Sequence, residues 1–174
     1  RNPLNVAIGR LRLIEEECGS EHIDPVENAL ERMEQLIDDV LTLARDGSRL
    51  TDPEPVALRE AVDTAWATSG TENATLEVVD DLGVVASAES RLRELFENLF
   101  HNAVEHGGSD VTVRVGTIAE GFYVEDDGSG IAAEHRDDVF DYGFSTERRG
   151  TGFGLAIVEA IADAHGWDVS LAES

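Results

Sequence analysis

Asn98 and Asn102 stand four residues apart in the stretch ENLFHNAVEH, and on a helix that spacing turns both amides to one side. Leu95, Leu99 and Ala103 then face a core. Amide oxygens are neutral ligands suited to a hard cation that already carries phosphate oxygens. Asp126 closes an alternating apolar stretch and opens DDGSGI, where Gly128 and Gly130 let the backbone come close to a ligand. A carboxylate so placed can accept from an exocyclic amine, which adenine offers. GTGFGL, from Gly150 to Leu155, opens a helical pattern, so backbone N–H groups and the helix dipole can receive phosphate oxygens. Each block alone has an ordinary explanation: an Asp-Gly turn, an amide bonded to its own helix, a glycine-rich loop. A Rossmann loop would need a preceding strand and a following βαβ unit, which residues 137–150 do not supply. Taken in order, Asn98, Asn102, Asp126, Gly128, Gly130, Gly150, Gly152 and Gly154 suit Mg-ATP far more specifically than any one of them does.

The elements that would carry these residues follow from the apolar periodicity. A strand is expected near Val56–Leu58, a helix over about Arg59–Thr68, and a strand pair at Ala74–Val79 and Val84–Ala86. Ser87 is expected to cap a long helix running through Asn102 to about His106. Two alternating strands, Asp110–Gly116 and Gly121–Asp126, turn at Ala119 and Glu120. After Gly130 a polar stretch leads to Gly150, then a helix over about Gly152–His165 and a last strand near Asp168–Leu171. Helices against one face of a mixed sheet make an α+β, two-layer α/β sandwich.

Ahead of it the pattern is purely helical. Val26, Leu30, Met33, Ile37, Val40 and Ala44 step by four and three in alternation, a coiled-coil or bundle seam. Asp24 as N-cap, Pro25 at the first helical position and Glu27 in a capping box mark its start. Leu4, Ala7, Leu11 and Ile14 form a second stripe, with a turn at Cys18–Ile23 between the two. Two copies of such a hairpin bury their stripes as a four-helix bundle, so a homodimer through residues 1–45 is expected. The alternative is that the stripe packs on its own chain. The expected division is a helical hairpin over 1–48, a polar linker over 49–55 and a mixed domain over 56–174.

Composition narrows the partners. Against 37 acidic residues stand 13 basic ones, every one an arginine, for a net charge of −24. Such a surface repels nucleic acid and anionic lipid, so no nucleic acid and no direct membrane contact are expected. Molar salt shrinks the screening length to about 3 Å, and the acidity reads as adaptation to a salt-filled cytoplasm. Cys18 is alone, which excludes an internal disulfide and suits a reducing compartment. No apolar run reaches the roughly 20 residues of a membrane span, although a longer parent could be membrane-tethered. His101 and His106 lie five apart on different helical faces, and no CxxC is present, so no zinc site is expected.

The three blocks resemble the N, G1 and G2 boxes of the GHKL ATP-binding superfamily. Val139-Phe140-Asp141-Tyr142-Gly143-Phe144-Ser145-Thr146 resembles the F box of sensor histidine kinases, and Arg1-Asn2-Pro3-Leu4 the latter part of their H box. Lack of lysine suggests a haloarchaeal-type member. The resemblance implies ATP and Mg²⁺ as cofactors, with transfer of the γ-phosphoryl to a histidine and then to an aspartate of a response regulator receiver domain. It makes Asn102 the Mg²⁺ ligand, with Asn98 supporting the same phosphate end, and Asp126 the adenine partner. Gly128 and Gly130 shape the base pocket. Gly150, Gly152 and Gly154 hinge a lid, which Phe140 and Phe144 dock, and Arg148 and Arg149 steady phosphate charge. His106, Ile131, Thr151, Phe153 and Leu155 complete the nucleotide-binding set implied by the boxes. The acceptor histidine is expected three residues before Arg1, and Asn2 falls where the family's phosphatase activity is often controlled. Glu105 stands where many members have a basic residue, and Ser129 where a proline is common. Two other readings stay open: a catalytically degenerate nucleotide-binding scaffold, and another GHKL-class ATPase or serine kinase.

Overall fold

The computed structural model describes residues 53–69, 73–108, 110–136, 138–144 and 151–172, together with Ala7, Val26, Ala29, Leu30, Met33, Leu36, Ile37, Val40 and Leu41. Those nine early residues are all helical. Val26, Met33, Ile37 and Val40 of the expected seam are exposed in the single chain, each to more than a third of its surface. Leu4, Leu11, Ile14, the Cys18–Ile23 turn, the Asp24-Pro25-Glu27 start and Ala44 lie outside the described residues.

The mixed part begins with β1 (Glu54–Ala57), which runs directly into α1 (Leu58–Ser69). Leu58, Ala61, Val62 and Ala65 recur at helical spacing, and all four are buried. Then come β2 (Thr75–Val78), β3 (Val84–Ser87), α2 (Glu89–Gly107), β4 (Thr112–Ile118), β5 (Gly121–Asp126), a single 3₁₀ turn at Ala133–His135, and α3 (Gly154–His165). β2 pairs parallel with β4, and β4 antiparallel with β5. β1 and β3 form a separate antiparallel ladder. Val113 and Val115 point from β4 into a core shared with Leu92, Leu95, Phe96 and Phe100 of α2 and Ile157, Val158 and Ile161 of α3. α2 packs on both α1 and α3. This is the helix layer on a mixed sheet that the periodicity implies. Burying a large apolar side chain contributes about 1.5–3 kcal/mol, so Phe96 and Phe100, both fully buried, are major fixed points of α2.

Several local expectations need correction. β2 and β3 are not partners. Between them Leu82 turns into the core, Gly83 adopts φ +70°, and the Asp80 carboxylate accepts from the Thr117 N–H at 3.2 Å, so the chain crosses from one ladder to the other. Extended backbone starts at Glu54, inside the stretch read as linker. Ser87 does not cap α2; it is the last residue of β3, and strand alternation turns its side chain inward. Ala88 occupies the cap position with no side-chain bond. The strand expected near Asp168–Leu171 has no regular pairing. Gly166 ends α3 in the left-handed region, its N–H and that of Trp167 returning to Asp163 O and Ala162 O.

On the sheet's outer face, the Tyr123 ring lies over Gly116, where a Cβ would sit 2.6 Å from the phenol oxygen. Arg114 bonds Glu77 at 2.8 Å on the same face. That bond, then the Glu77 charge, holds the guanidinium pKa above its ordinary value. Among the described residues no helix is long and apolar enough to cross a membrane.

Candidate functional site

α2 brings the first block into place. Its buried face, Leu92, Leu95, Phe96, Phe100 and Ala103, fixes the helix on the core and leaves Asn98 and Asn102 half-buried along its flank. The two amides do different things. Asn98 donates from Nδ2 to Glu94 O at 2.8 Å, so its NH₂ is tied to its own helix. Asn102 reaches the start of α3: a Cβ built on Gly154 would lie 3.0 Å from Asn102 Oδ1 and 3.2 Å from Nδ2. On that shared flank one amide is bonded to its own helix and the other lies beside the start of α3. His106 is exposed in the last turn of α2, and Glu105 faces His101 Nε2 at 3.6 Å.

One turn further along α2, Gly107 meets the second block. A Cβ on Gly128 would fall 2.6 Å from Gly107 Cα and 2.7 Å from Asp126 Oδ1. No larger residue fits at Gly128 without moving the helix end. Asp126, the last residue of β5, accepts the Gly128 N–H on Oδ1 at 2.9 Å, an Asx turn that fixes the carboxylate. Its second oxygen is not needed for that turn. Asp127 anchors the same turn to the sheet by accepting the Thr112 N–H at 2.7 Å. That bond from the Thr112 N–H holds the Asp127 carboxyl below its ordinary pKa. Beyond it Ile131 is half-buried, and its carbonyl accepts from Arg136 Nε at 3.1 Å.

The third block meets the F-box-like stretch through backbone. Gly143 N–H donates to Gly152 O at 3.0 Å. Gly152 has φ +74°, and a Cβ there would lie 2.5 Å from Gly143 C and 2.8 Å from Phe144 O. Phe144 sets its ring 5.4 Å from that of His135, in the 3₁₀ turn. Phe140 is half-buried behind the buried Val139. Thr151 is half-buried, Phe153 packs on the core, and Leu155 is half-buried in the first turn of α3. No side chain caps that helix. Its first N–H groups have no partner within the helix. Ser145, Thr146, Arg148, Arg149 and Gly150 lie outside the described residues.

Asn102 with Gly154, Gly107 with Gly128, and Gly143 with Gly152 thus join segments about 50, 20 and 10 residues apart in sequence at one side of the domain. Gly107 and Gly143 received no individual role from sequence. Gly107 carried a weak signal as a glycine directly after a helical pattern, and Gly143 as a glycine between two aromatics.

The arrangement offers a carboxylate oxygen at the end of β5, an amide on the flank of α2 and, beside that amide, a helix N-terminus. Residues 87–174 match the family described as histidine kinase-, DNA gyrase B-, and HSP90-like ATPase, and residues 1–49 match the His Kinase A (phospho-acceptor) domain. Among curated relatives, the chain is 35% identical over 97 residues to the sensor histidine kinase ZraS of Escherichia coli strain K12, covering 53% of this chain and 21% of that protein. It is 27% identical over 188 residues to the sensor protein DivL of Caulobacter vibrioides, covering 98% and 24%. The chain spans about a quarter of the length of these relatives. The structure of full-length ShkA in complex with AMPPNP aligns with TM-score 0.63 and 26% identity over 95% of this chain and 39% of that one. With the hairpin-domain match in front and the ATPase match behind, the chain belongs to the histidine kinase-, DNA gyrase B- and HSP90-like ATPase family, as a sensor histidine kinase core.

Proposed function

We propose that this chain binds Mg-ATP between α2, the Asp126–Ile131 turn and the start of α3. It then passes the γ-phosphoryl to a histidine just upstream of Arg1, and from there to an aspartate of a response regulator. One observation carries the reading: α2 meets the Asp126–Gly130 turn at Gly107 and the start of α3 at Asn102, contacts separated by about 7.5 Å along the helix at 1.5 Å per residue. The neighbour solved with AMPPNP shares the fold and holds an ATP analogue.

The residues fit that ligand. Asp126 keeps one oxygen for the adenine amine while the other closes its turn on Gly128. Gly128 and Gly130 leave the base a backbone-lined wall. The α3 N-terminus supplies N–H groups without a partner in the helix, and positive dipole, for phosphate, with Thr151, Phe153 and Leu155 around it. Asn102 presents a neutral oxygen for Mg²⁺, and Asn98, His106 and Ile131 flank the same cleft. Among the described residues no cluster of His, Cys, Asp and Glu could hold a metal by itself. Magnesium commonly shares its shell between few protein groups and phosphate. When bound, Mg-ATP supplies the phosphoryl group and the cation that offsets its charge. The chain's own work is positioning and neutralisation, with Arg148, Arg149 and Gly150 assigned to the phosphate end and Phe140 and Phe144 to docking the lid on the resemblance alone.

The test is label transfer from γ-labelled ATP in molar KCl with Mg²⁺, on a chain extended upstream to include the expected histidine. Acid-labile, base-stable label that vanishes in Asp126→Asn is the expected result. Asn retains one oxygen for the Gly128 N–H but turns an NH₂ toward the adenine amine, so the fold persists while binding falls. Folded wild-type protein that takes no label, yet binds nucleotide, would point to the degenerate or other-ATPase reading.

Two partners follow. A second copy would cover the apolar seam exposed at Val26, Met33, Ile37 and Val40, giving a homodimer through residues 1–45. Sedimentation showing only monomer in concentrated KCl would remove it. The receiver domain of a response regulator is the phosphoryl acceptor. A haloarchaeal-type origin and a cytoplasmic setting are supported by the net charge of −24 without lysine.

A further inference from the structure

α3 meets α2 at one end and the strand that leads into α2 at the other. At one end Asn102 meets Gly154; at the other, Ser87, two residues before α2, meets His165, the last residue of α3. The helices are therefore antiparallel. Ser87 is fully buried, and its Oγ lies 2.7 Å from His165 Nε2.

The imidazole is half-buried and oriented by three contacts. Nδ1 lies 2.6 Å from Ile161 O, an acceptor only, so that nitrogen carries a proton and donates. The ring stacks on Trp167 with centroids 4.1 Å apart, and Trp167 sets an edge against Phe122 of β5 at 6.2 Å. In the neutral ring, Nε2 accepts the Ser87 O–H. In the charged ring, Nε2 donates to Oγ, and the hydroxyl proton turns to Ala88 O at 3.1 Å. Either charge state satisfies the buried hydroxyl.

Apolar packing between α2 and α3 has no direction of its own; a hydrogen bond does. Ser87 belongs to β3, which is laddered to β1, so the anchor is part of the sheet scaffold. From His165 back to Gly154 is about 16 Å of helix at 1.5 Å per residue. A shift of α3 along its axis at His165 therefore reappears at Gly154, where only 3.0 Å separates a notional Cβ from Asn102 Oδ1. We infer that Ser87 and His165 are positioning residues for the nucleotide site, setting the axial register of α3 against α2 and with it the placement of Asn102 beside the α3 N-terminus. The site is the one proposed above, so the inference rests on that reading for its effect on nucleotide.

The experiment uses the full chain in molar KCl, with folding checked by circular dichroism. Ser87→Ala and His165→Phe should each weaken Mg-ATP binding roughly 3- to 10-fold, the order expected for one lost hydrogen bond. The double variant should bind no more weakly than the weaker single one, and His165→Gln, which keeps a polar atom near the Nε2 position, should stay within about twofold of wild type. Losses that add, or folded single variants with unchanged affinity, overturn the inference. If Ser87→Ala does not fold, the His165→Phe and His165→Gln pair still decides it. A second readout is independent of nucleotide: the NMR signals of the Asn102 side-chain amide and the Gly154 N–H should move in His165→Phe and return in His165→Gln. If wild type binds no Mg-ATP, the functional reading fails while these shifts still test the register; unmoved signals overturn it.

Discussion

The two glycine-rich blocks, Asp126–Gly130 and Thr151–Gly154, look alike in sequence but are held by different forces. The first is tied down by carboxylates: Asp126 to the Gly128 N–H and Asp127 to the Thr112 N–H. The second is tied by backbone to backbone, Gly143 N–H to Gly152 O, with no carboxylate in that contact. Their glycines also differ. Gly128 is required by space, since Gly107 lies against it, whereas Gly130 has φ +67° and nothing within 4 Å of a notional Cβ. Gly152 is required by both space and conformation. Glycine in a phosphate-type loop is thus several constraints, and each responds to substitution by a different amount.

Gly152→Ala should have the largest effect. It combines an αL penalty of roughly 1–2 kcal/mol with overpacking of roughly 1–3 kcal/mol against the Gly143 backbone. About 3 kcal/mol in total corresponds to about a 100-fold loss of nucleotide affinity, read by titration calorimetry. Near-wild-type affinity would mean that the contact with Gly143 yields freely, and that the two blocks differ less than their geometry indicates.

Within the first block, Gly128→Ala and Gly130→Ala separate space from conformation. Gly128→Ala meets Gly107 Cα and Asp126 Oδ1, so about 2 kcal/mol and roughly a 30-fold weaker binding are expected. Gly130→Ala meets nothing and costs only about 1 kcal/mol of backbone strain, close to fivefold. The order of the two is the measurement; the reverse order would show that Gly128 is free to retreat from α2.

Much of this was legible in the sequence, and the parts that were not have a common cause. Asn98, Asn102 and the buried Leu95 and Ala103 follow from helical spacing, and the β4–β5 hairpin from alternation around Ala119 and Glu120. Local patterns of this kind carry their own evidence. What pairs with what does not: β2 and β3 are adjacent in sequence and both look like strands, yet one joins β4 in parallel and the other β1. Ser87 is illegible in sequence for the same reason, because a serine before a helix looks like a cap until its distant partner His165 is known. Asn98 and Asn102 share a helical flank, but only the fold shows that one is bonded to Glu94 and the other set against Gly154.

A change remote from both blocks serves as a control on the comparison. Ala88 sits at the α2 cap position with φ −94° and ψ 127°, the extended geometry a capping side chain needs. Ala88→Ser supplies the missing acceptor without adding to the negative charge. About 1 kcal/mol of stabilisation and a rise in Tm of roughly 3 °C are expected, with nucleotide affinity unchanged. A change in affinity would mean that α2 itself shifts, and that effects at Gly128 and Gly152 cannot be assigned to their own contacts.

The smallest effect expected is acid sensitivity confined to the first block. The bond from Thr112 N–H holds the Asp127 carboxyl below its ordinary value in the folded state. A depressed folded value makes the contribution complete above the unfolded carboxylate range and removes it as pH falls through the folded value. Asp127→Asn keeps an oxygen for Thr112 but has no charge to lose. Melting wild type and variant from pH 6 downward in molar KCl should show wild type more stable at pH 6 and the two converging in acid. Parallel curves would show that the bond to Thr112 owes nothing to the charge. Because Asp127 is exposed, water screens most of its interaction, so the convergence is a fine test. It is also specific, since the Gly143–Gly152 contact has no group that titrates and should give no such difference.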